Sequence, residues 1–235
     1  MNINKEASVC RTRRQVLIST ASIVFSTGFL AFLPKSVWAA GEPQTAPADW
    51  SGHAVRAAEK ILEACCRHPF TQGLADGTLP KKAFLFYVVQ NVHYLAGYAA
   101  SLHALAGRVA TMSNLPLEER KRIAKRLHGW AKDTDAVRES LDSVYAARKH
   151  LADDPLFKTI EPATLLYINY EALCAKTSHP AVGMAALLPC FWVYDGLGQV
   201  FVKAQKKSRL QKNPFADWIA GYGSPEYSAE VRQAL

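Results

Sequence analysis

Apolar positions along this chain recur at helical spacing, and no stretch sustains the alternation of apolar and polar residues that marks a strand. Residues 53–67 place Ala54, Ala57, Ala58, Ile61, Leu62 and Cys65 on a helical pattern. "RHPFTQGLADGTLP" breaks it with two prolines and two glycines, and Pro80 suits the first turn of the next helix. That helix, residues 80–110, is apolar on nearly every face and is expected in the middle of the domain. Residues 117–150 differ. Ile123, Leu127, Trp130, Val137, Leu141 and Val144 form a stripe among Lys, Arg, Glu and Asp, which predicts an outer amphipathic helix, or two in series. Helices are also predicted over 162–177, 181–207 and 214–221, with another starting near 225. The pattern predicts an all-α fold, a single-domain helical bundle.

The composition agrees with a packed globular core: 235 residues, 49% hydrophobic and 20% charged. The formal net charge of +8 is concentrated in part at the N-terminus. There Arg11, Arg13 and Arg14 precede an apolar stretch from Val16 to Leu33, and "SVWAAGEP" follows with Val37 and Ala39 placed as in a small-residue cleavage site. "TRRQVLI" resembles the twin-arginine export signature. Residues 1–39 are therefore expected to be a cleaved signal peptide that engages export machinery and sends the domain to the periplasm. An uncleaved membrane anchor is the alternative. Residues 40–52 look like a polar leader, and the domain proper occupies 53–235. Without the leader the remaining charge is mild, and basic residues do not interleave with aromatic ones, which argues against a nucleic-acid partner.

Candidate chemistry begins with polar residues inside the apolar helix. Tyr87, Asn91, Tyr94 and Tyr98 are spaced by four, three and four and share one face, bordered by Gln90. Burying an amide and several phenols costs free energy unless each finds a partner, so other helices satisfy them or they line a pocket. Tyr167, Tyr170 and Tyr194 add further aromatic faces, and together these suit a flat, polar, heteroaromatic ligand. Cys190 follows Pro189 directly. If Pro189 opens a helix, unpaired N–H groups in its first turn favour a thiolate; if it kinks a continuous helix, the effect is weaker; a buried inert thiol is the plainest alternative. Cys65, Cys66 and Cys174 read as packed thiols; pairing of the four cysteines beyond residue 39 in an oxidising compartment, and a reduced fold made in the cytoplasm and exported folded, are both open. No cysteine or histidine spacing suits a metal, and no cofactor is expected.

"HPFTQGLADGTLPKKAFLFYVVQNVHYLAGYAASL", "AALLPCFWVYDGLG" and "NPFADWIAGYG" together resemble the TenA family, the thiaminase II proteins, from about His53 to Tyr222. The resemblance implies a haem-oxygenase-like helical bundle, usually without haem and commonly tetrameric. It implies hydrolysis of aminopyrimidines, chiefly the aminomethyl pyrimidine from degraded thiamin and more weakly thiamin itself, to the hydroxymethyl pyrimidine used in thiamin salvage. It places the nucleophilic cysteine at Cys190, its neighbouring tyrosine at Tyr194, and pocket tyrosines at Tyr94, Tyr167 and Tyr222. The implied chemistry is nucleophilic catalysis by a thiol of lowered pKa.

Two departures qualify that expectation. The family has an aspartate where this chain has Asn91, and an amide brings no charge to the amidine-like edge of the ligand. The family also uses a glutamate on a final helix, whereas this sequence ends at Leu235, and Glu226 and Glu230 lie too early to match it. The C-terminal helices are accordingly expected to be missing. The alternatives to the hydrolase are a non-catalytic pyrimidine-binding relative and an inactive truncated homologue.

Overall fold

The computed structural model describes residues 50–146, 158–207 and 213–234. The expected signal peptide and most of the polar leader lie outside the described residues. Eight helices are described: α1 (Trp50–Arg67), α2 (Pro69–Asp76), α3 (Lys81–Ala110), α4 (Leu117–Ala146), α5 (Pro162–Thr177), α6 (Pro180–Lys207), α7 (Ala216–Tyr222) and α8 (Pro225–Ala234). The chain divides into two compact units, Met1–Gln72 and Gly73–Leu235. Helix α1 lies in the first, α2 crosses the boundary, and the remaining helices belong to the second. The fold is all-α, as the periodicity requires.

Helix α2 forms inside the stretch expected to be irregular. Pro69 occupies its first position, where the missing N–H costs nothing. His68 Nδ1 accepts a hydrogen bond from the Phe70 N–H at 3.1 Å, so one free donor of the first turn is satisfied. The helix ends at Gly77, whose φ of +80° is open to glycine at no steric cost. Thr78 N–H then bonds Asp76 Oδ1 at 2.9 Å and fixes the turn. Pro80 stands just before α3 rather than within its first turn.

In the second unit, α3 packs against α4, α5 and α6, as its apolar circumference requires. Leu102, Leu105 and Ala106 on α3 are fully buried, with Leu127 and Ala131 of α4 and Leu187 of α6. Each buried leucine contributes about 1.5–3 kcal/mol relative to leaving it in water. Helix α4 is one unbroken helix over its described length, with Glu118 and Glu119 complementing the dipole in its first turn. Gln90 on α3 clamps the entry to α5: its Nε2 donates to Thr159 O and its Oε1 accepts from Glu161 N–H, both at 2.9 Å. Gln90 is thus a structural residue.

Helices α6, α7 and α8 pack on one another at the other side of the site. The approach of α6 to the end of α7 is set by glycine. A Cβ on Gly198 would lie 2.2 Å from the Tyr222 carbonyl oxygen, and one on Gly223 would lie 2.3 Å from Val202 Cγ2. Ser228 Oγ of α8 donates to Asp195 Oδ1 of α6 and accepts from Gln199 Nε2 at 2.9 Å. Asn213 holds the chain before α7 against the end of α2, donating to Leu74 O and Ala75 O at 3.0 Å.

Candidate active site

A cavity of about 180 Å³ opens in the second unit among α3, α4, α6, α7 and α8. It is smaller than the roughly 300–1,000 Å³ of drug-sized sites and suits one small ring. Helix α3 contributes Asn91, Leu95 and Tyr98, and α6 contributes Cys190, Phe191 and Tyr194. Tyr222 enters from α7, and Tyr227 and Glu230 from α8. Helix α4 supplies Trp130, Asp133, Thr134 and Val137. Six of the thirteen lining residues are aromatic, and an amide, a thiol and two carboxyl groups are among the others.

Of the residues expected from sequence, Asn91, Cys190, Tyr194 and Tyr222 line this cavity. Asn91 is buried, and its Nδ2 donates to the Tyr87 hydroxyl at 3.3 Å. That hydroxyl lies 3.2 Å from the Tyr194 hydroxyl, so the amide and both phenols form one string. The Tyr222 ring stands 4.7 Å from Tyr194 and 4.6 Å from Trp218. The close approach at Gly198 puts Tyr222 in that position. Tyr94 and Tyr167 are not on the cavity wall. They stack with ring centroids 5.2 Å apart and planes 1° from parallel, and both act electrostatically on Cys190 or its neighbours.

Cys190 does not sit at a helix start. Helix α6 runs through Pro189, which lies inside it. The thiol therefore lacks the free N–H groups of a first turn. Its pKa is not lowered: burial pushes it up to about 12, a charge on Glu171 adds to the rise, and the phenols of Tyr94 and Tyr98 oppose it. Tyr98 hydroxyl donates at 3.0 Å to Leu187 O, just upstream of the proline. Cys65, Cys66, Cys174 and Cys190 are all free.

Several residues of the site escaped the sequence pattern. Glu171 on α5 is fully buried behind Tyr94, and its Oε1 accepts from the Tyr94 hydroxyl at 3.0 Å. Burial raises its carboxyl to about 8, against the hydrogen bonding of Tyr94 and Tyr167. Glu171 falls one turn after Tyr167 and shares the face of Cys174 and Ala175, both buried. Trp130 belonged to the amphipathic stripe as core. Its Nε1 donates to Glu230 Oε2 at 2.9 Å across the cavity wall. Val137 of the same stripe is 44% exposed and lines the cavity.

Residues 55–235 match the family model described as TENA/THI-4/PQQC. The chain belongs to this family. The aminopyrimidine aminohydrolase of Halalkalibacterium halodurans is 35% identical over 173 residues, covering 72% of this chain and 71% of that protein. The aminopyrimidine aminohydrolase of Bacillus subtilis is 26% identical, covering 76% and 71%. Among solved structures, the TenA homologue from P. horikoshii OT3 superimposes with a TM-score of 0.63 at 22% identity, over 78% of this chain and 81% of that one. The bundle is thus the haem-oxygenase-like fold of its TENA/THI-4/PQQC relatives. Within it the cavity and the free thiol beside it occupy the meeting point of five helices.

Proposed function

We propose that this chain hydrolyses aminopyrimidines of the thiaminase II type, converting the aminomethyl pyrimidine to its hydroxymethyl counterpart in thiamin salvage. The relatives named as aminopyrimidine aminohydrolases support the reaction class. The observation that carries the reading is the thiol of Cys190 on the wall of a ring-sized, aromatic-rich cavity that Asn91, strung to the Tyr87 and Tyr194 phenols, also lines. In this mechanism Cys190 attacks the electron-poor ring system, ammonia leaves, and water then displaces the sulfur. Asn91 reads the edge of the ring, and Tyr194 and Tyr222 stack on it. Glu230 and Asp133, which also face the cavity, serve the departing amine and the incoming water.

The test is direct. Purified protein is incubated with the aminomethyl pyrimidine and the hydroxymethyl product is measured by chromatography. Cys190→Ser is expected to lower turnover by at least roughly 10³-fold. Turnover undiminished in that variant refutes the thiol mechanism. The high pKa of the thiol favours a second reading, a binder of the same ring that does no chemistry. Tight binding of the pyrimidine by calorimetry with no product from the wild type selects it.

Two accessory proposals accompany the main one. Helix α5 exposes Leu165, Leu166 and Leu173 at 46%, 56% and 59%, and we propose that this face is covered in a homo-oligomer. Light scattering of a Leu166→Glu, Leu173→Glu double variant is expected to give a smaller particle than the wild type, and an unchanged mass refutes it. Export through the twin-arginine-like leader is checked by N-terminal sequencing of the periplasmic fraction, where a start just after Ala39 is expected.

A further inference from the structure

We propose that Glu171 is a positioning residue for the Cys190 chemistry, taking up and returning the thiol proton through the Tyr94 hydroxyl. The inference rests on the hydrolase reading for its purpose, but its geometry stands alone. Among the described residues, the fully buried carboxyl group on α5 has no ion pair to offset its desolvation cost. Its Oε1 is engaged by Tyr94 at 3.0 Å, and Tyr167, one turn earlier on the same helix, acts on the carboxyl as well. A leucine at that position would pack without this cost.

The neighbourhood shows where a proton can travel. Cys190 packs against the buried cluster that holds Tyr94 and Tyr98, and both phenols act on its thiol. Tyr98 hydroxyl is committed to Leu187 O, a backbone carbonyl that cannot take up a proton. Tyr94 hydroxyl leads instead to a carboxyl group. Stacking on Tyr167 holds the Tyr94 ring in place behind the cavity wall. The groups acting on Glu171 and the thiol are Tyr94 and Tyr98 from α3, Tyr167 on α5 and Cys190 from α6. Arg108 of α3 is engaged elsewhere, donating to Ala175 O at 2.9 Å. The carboxyl, raised to about 8, gives up its proton before the thiol at about 12, and so becomes the base of the string.

The steps balance. The thiol proton passes to Tyr94 oxygen while the Tyr94 proton passes to Glu171, leaving a thiolate and a neutral carboxyl. The thiolate forms the S–C bond as the C–N bond of the protonated amine breaks, and ammonia departs. Water then forms the C–O bond as the S–C bond breaks. Glu171 returns its proton through Tyr94 to the sulfur, and the proton lost by water leaves on ammonia. The sum is amine plus water giving alcohol plus ammonia.

Alkylation of Cys190 by iodoacetamide, followed by peptide mass spectrometry against pH, tests this without any need for hydrolysis. In the wild type the rate is expected to rise through about pH 8 as Glu171 ionises. Glu171→Gln and Tyr94→Phe should both lose that rise and react about 10²-fold more slowly just above it. Tyr94→Phe keeps the carboxyl and guards against a folding defect in the first variant. In hydrolysis both variants should lose kcat by roughly 10²-fold with KM unchanged, since neither residue lines the cavity. Equal or faster alkylation in Glu171→Gln overturns the proposal, because the carboxylate then acts as a repelling charge alone. A wild type that shows the pH 8 rise but forms no hydroxymethyl product supports the relay and refutes the hydrolase reading instead.

Discussion

Replacing Glu171 by glutamine should invert its effect on stability between acid and alkaline pH. The carboxyl is displaced from 4.5 to about 8, mainly because burial disfavours its charged form. The folded chain therefore keeps a proton through a pH window in which the unfolded chain has already lost it. Stability must fall as pH rises across that window, from just above 4.5 to about 8. At about 1.4 kcal/mol per pH unit the full loss is on the order of 5 kcal/mol. That is a large part of the roughly 5–15 kcal/mol holding an ordinary domain together. Glutamine keeps an oxygen for Tyr94 but carries no charge to desolvate. It leaves an amide donor without a partner, worth about 1–3 kcal/mol, so near pH 5 the variant should be slightly weaker than the wild type. Near pH 8.5 it should be the stronger by a few kcal/mol. Urea unfolding followed by circular dichroism at both pH values measures the two differences. Curves that keep the same offset at both pH values refute the reasoning, because the carboxyl then titrates alike in the folded and unfolded chain.

Asn91→Asp should tighten binding of the aminomethyl pyrimidine about fivefold in calorimetry, since a charge-assisted bond adds roughly 1 kcal/mol over a neutral one; equal or weaker binding contradicts the placement of Asn91 at the ligand edge. Glu230→Gln should cut kcat by about 10²-fold while Glu226→Gln, off the cavity wall, changes it little, and equal effects in steady-state assays argue against a role for Glu230. Gly198→Ala should lower stability by about 2–3 kcal/mol, because its Cβ would meet the Tyr222 backbone rather than a movable side chain. A melting temperature unchanged from the wild type refutes the close packing of α6 on α7.

The sequence is most legible where one period runs long. The face of Tyr87, Asn91, Tyr94 and Tyr98 stood out because an amide and phenols interrupt an otherwise apolar helix, and three of the four are strongly buried. Helix α2 was hidden by its own punctuation. Pro69 and Gly77 read as breakers, yet a proline at the first position and a glycine past the last are what a short helix carries. Glu171 was hidden for a different reason: acids on helices usually face water, and spacing alone does not tell which face of an evenly apolar helix is inside. Glu230 lies too early in the chain for the expected final helix, yet α8 brings it to the cavity wall beside Trp130. Pro189 was legible as a singularity but not in its sense, since a kink and a helix start have the same local sequence.

The high pKa of the Cys190 thiol bears on how a buried thiol becomes reactive. Among the groups that set it, burial comes first and the Glu171 charge second, while neutral phenols oppose them. A thiolate formed before ligand arrives would be costly there. On the proposed reading the substrate itself supplies the missing counter-charge, because a protonated amine entering the cavity beside Cys190 favours the ionised sulfur. An aspartate at position 91 would share that cation with the sulfur, whereas Asn91 leaves its charge to act on Cys190. Uncharged pyrimidine analogues of the same shape should then bind without speeding alkylation of Cys190, and a cationic analogue too small to block the thiol should speed it. Equal alkylation rates with both analogues sink this account of activation, since the thiol would be indifferent to the charge beside it.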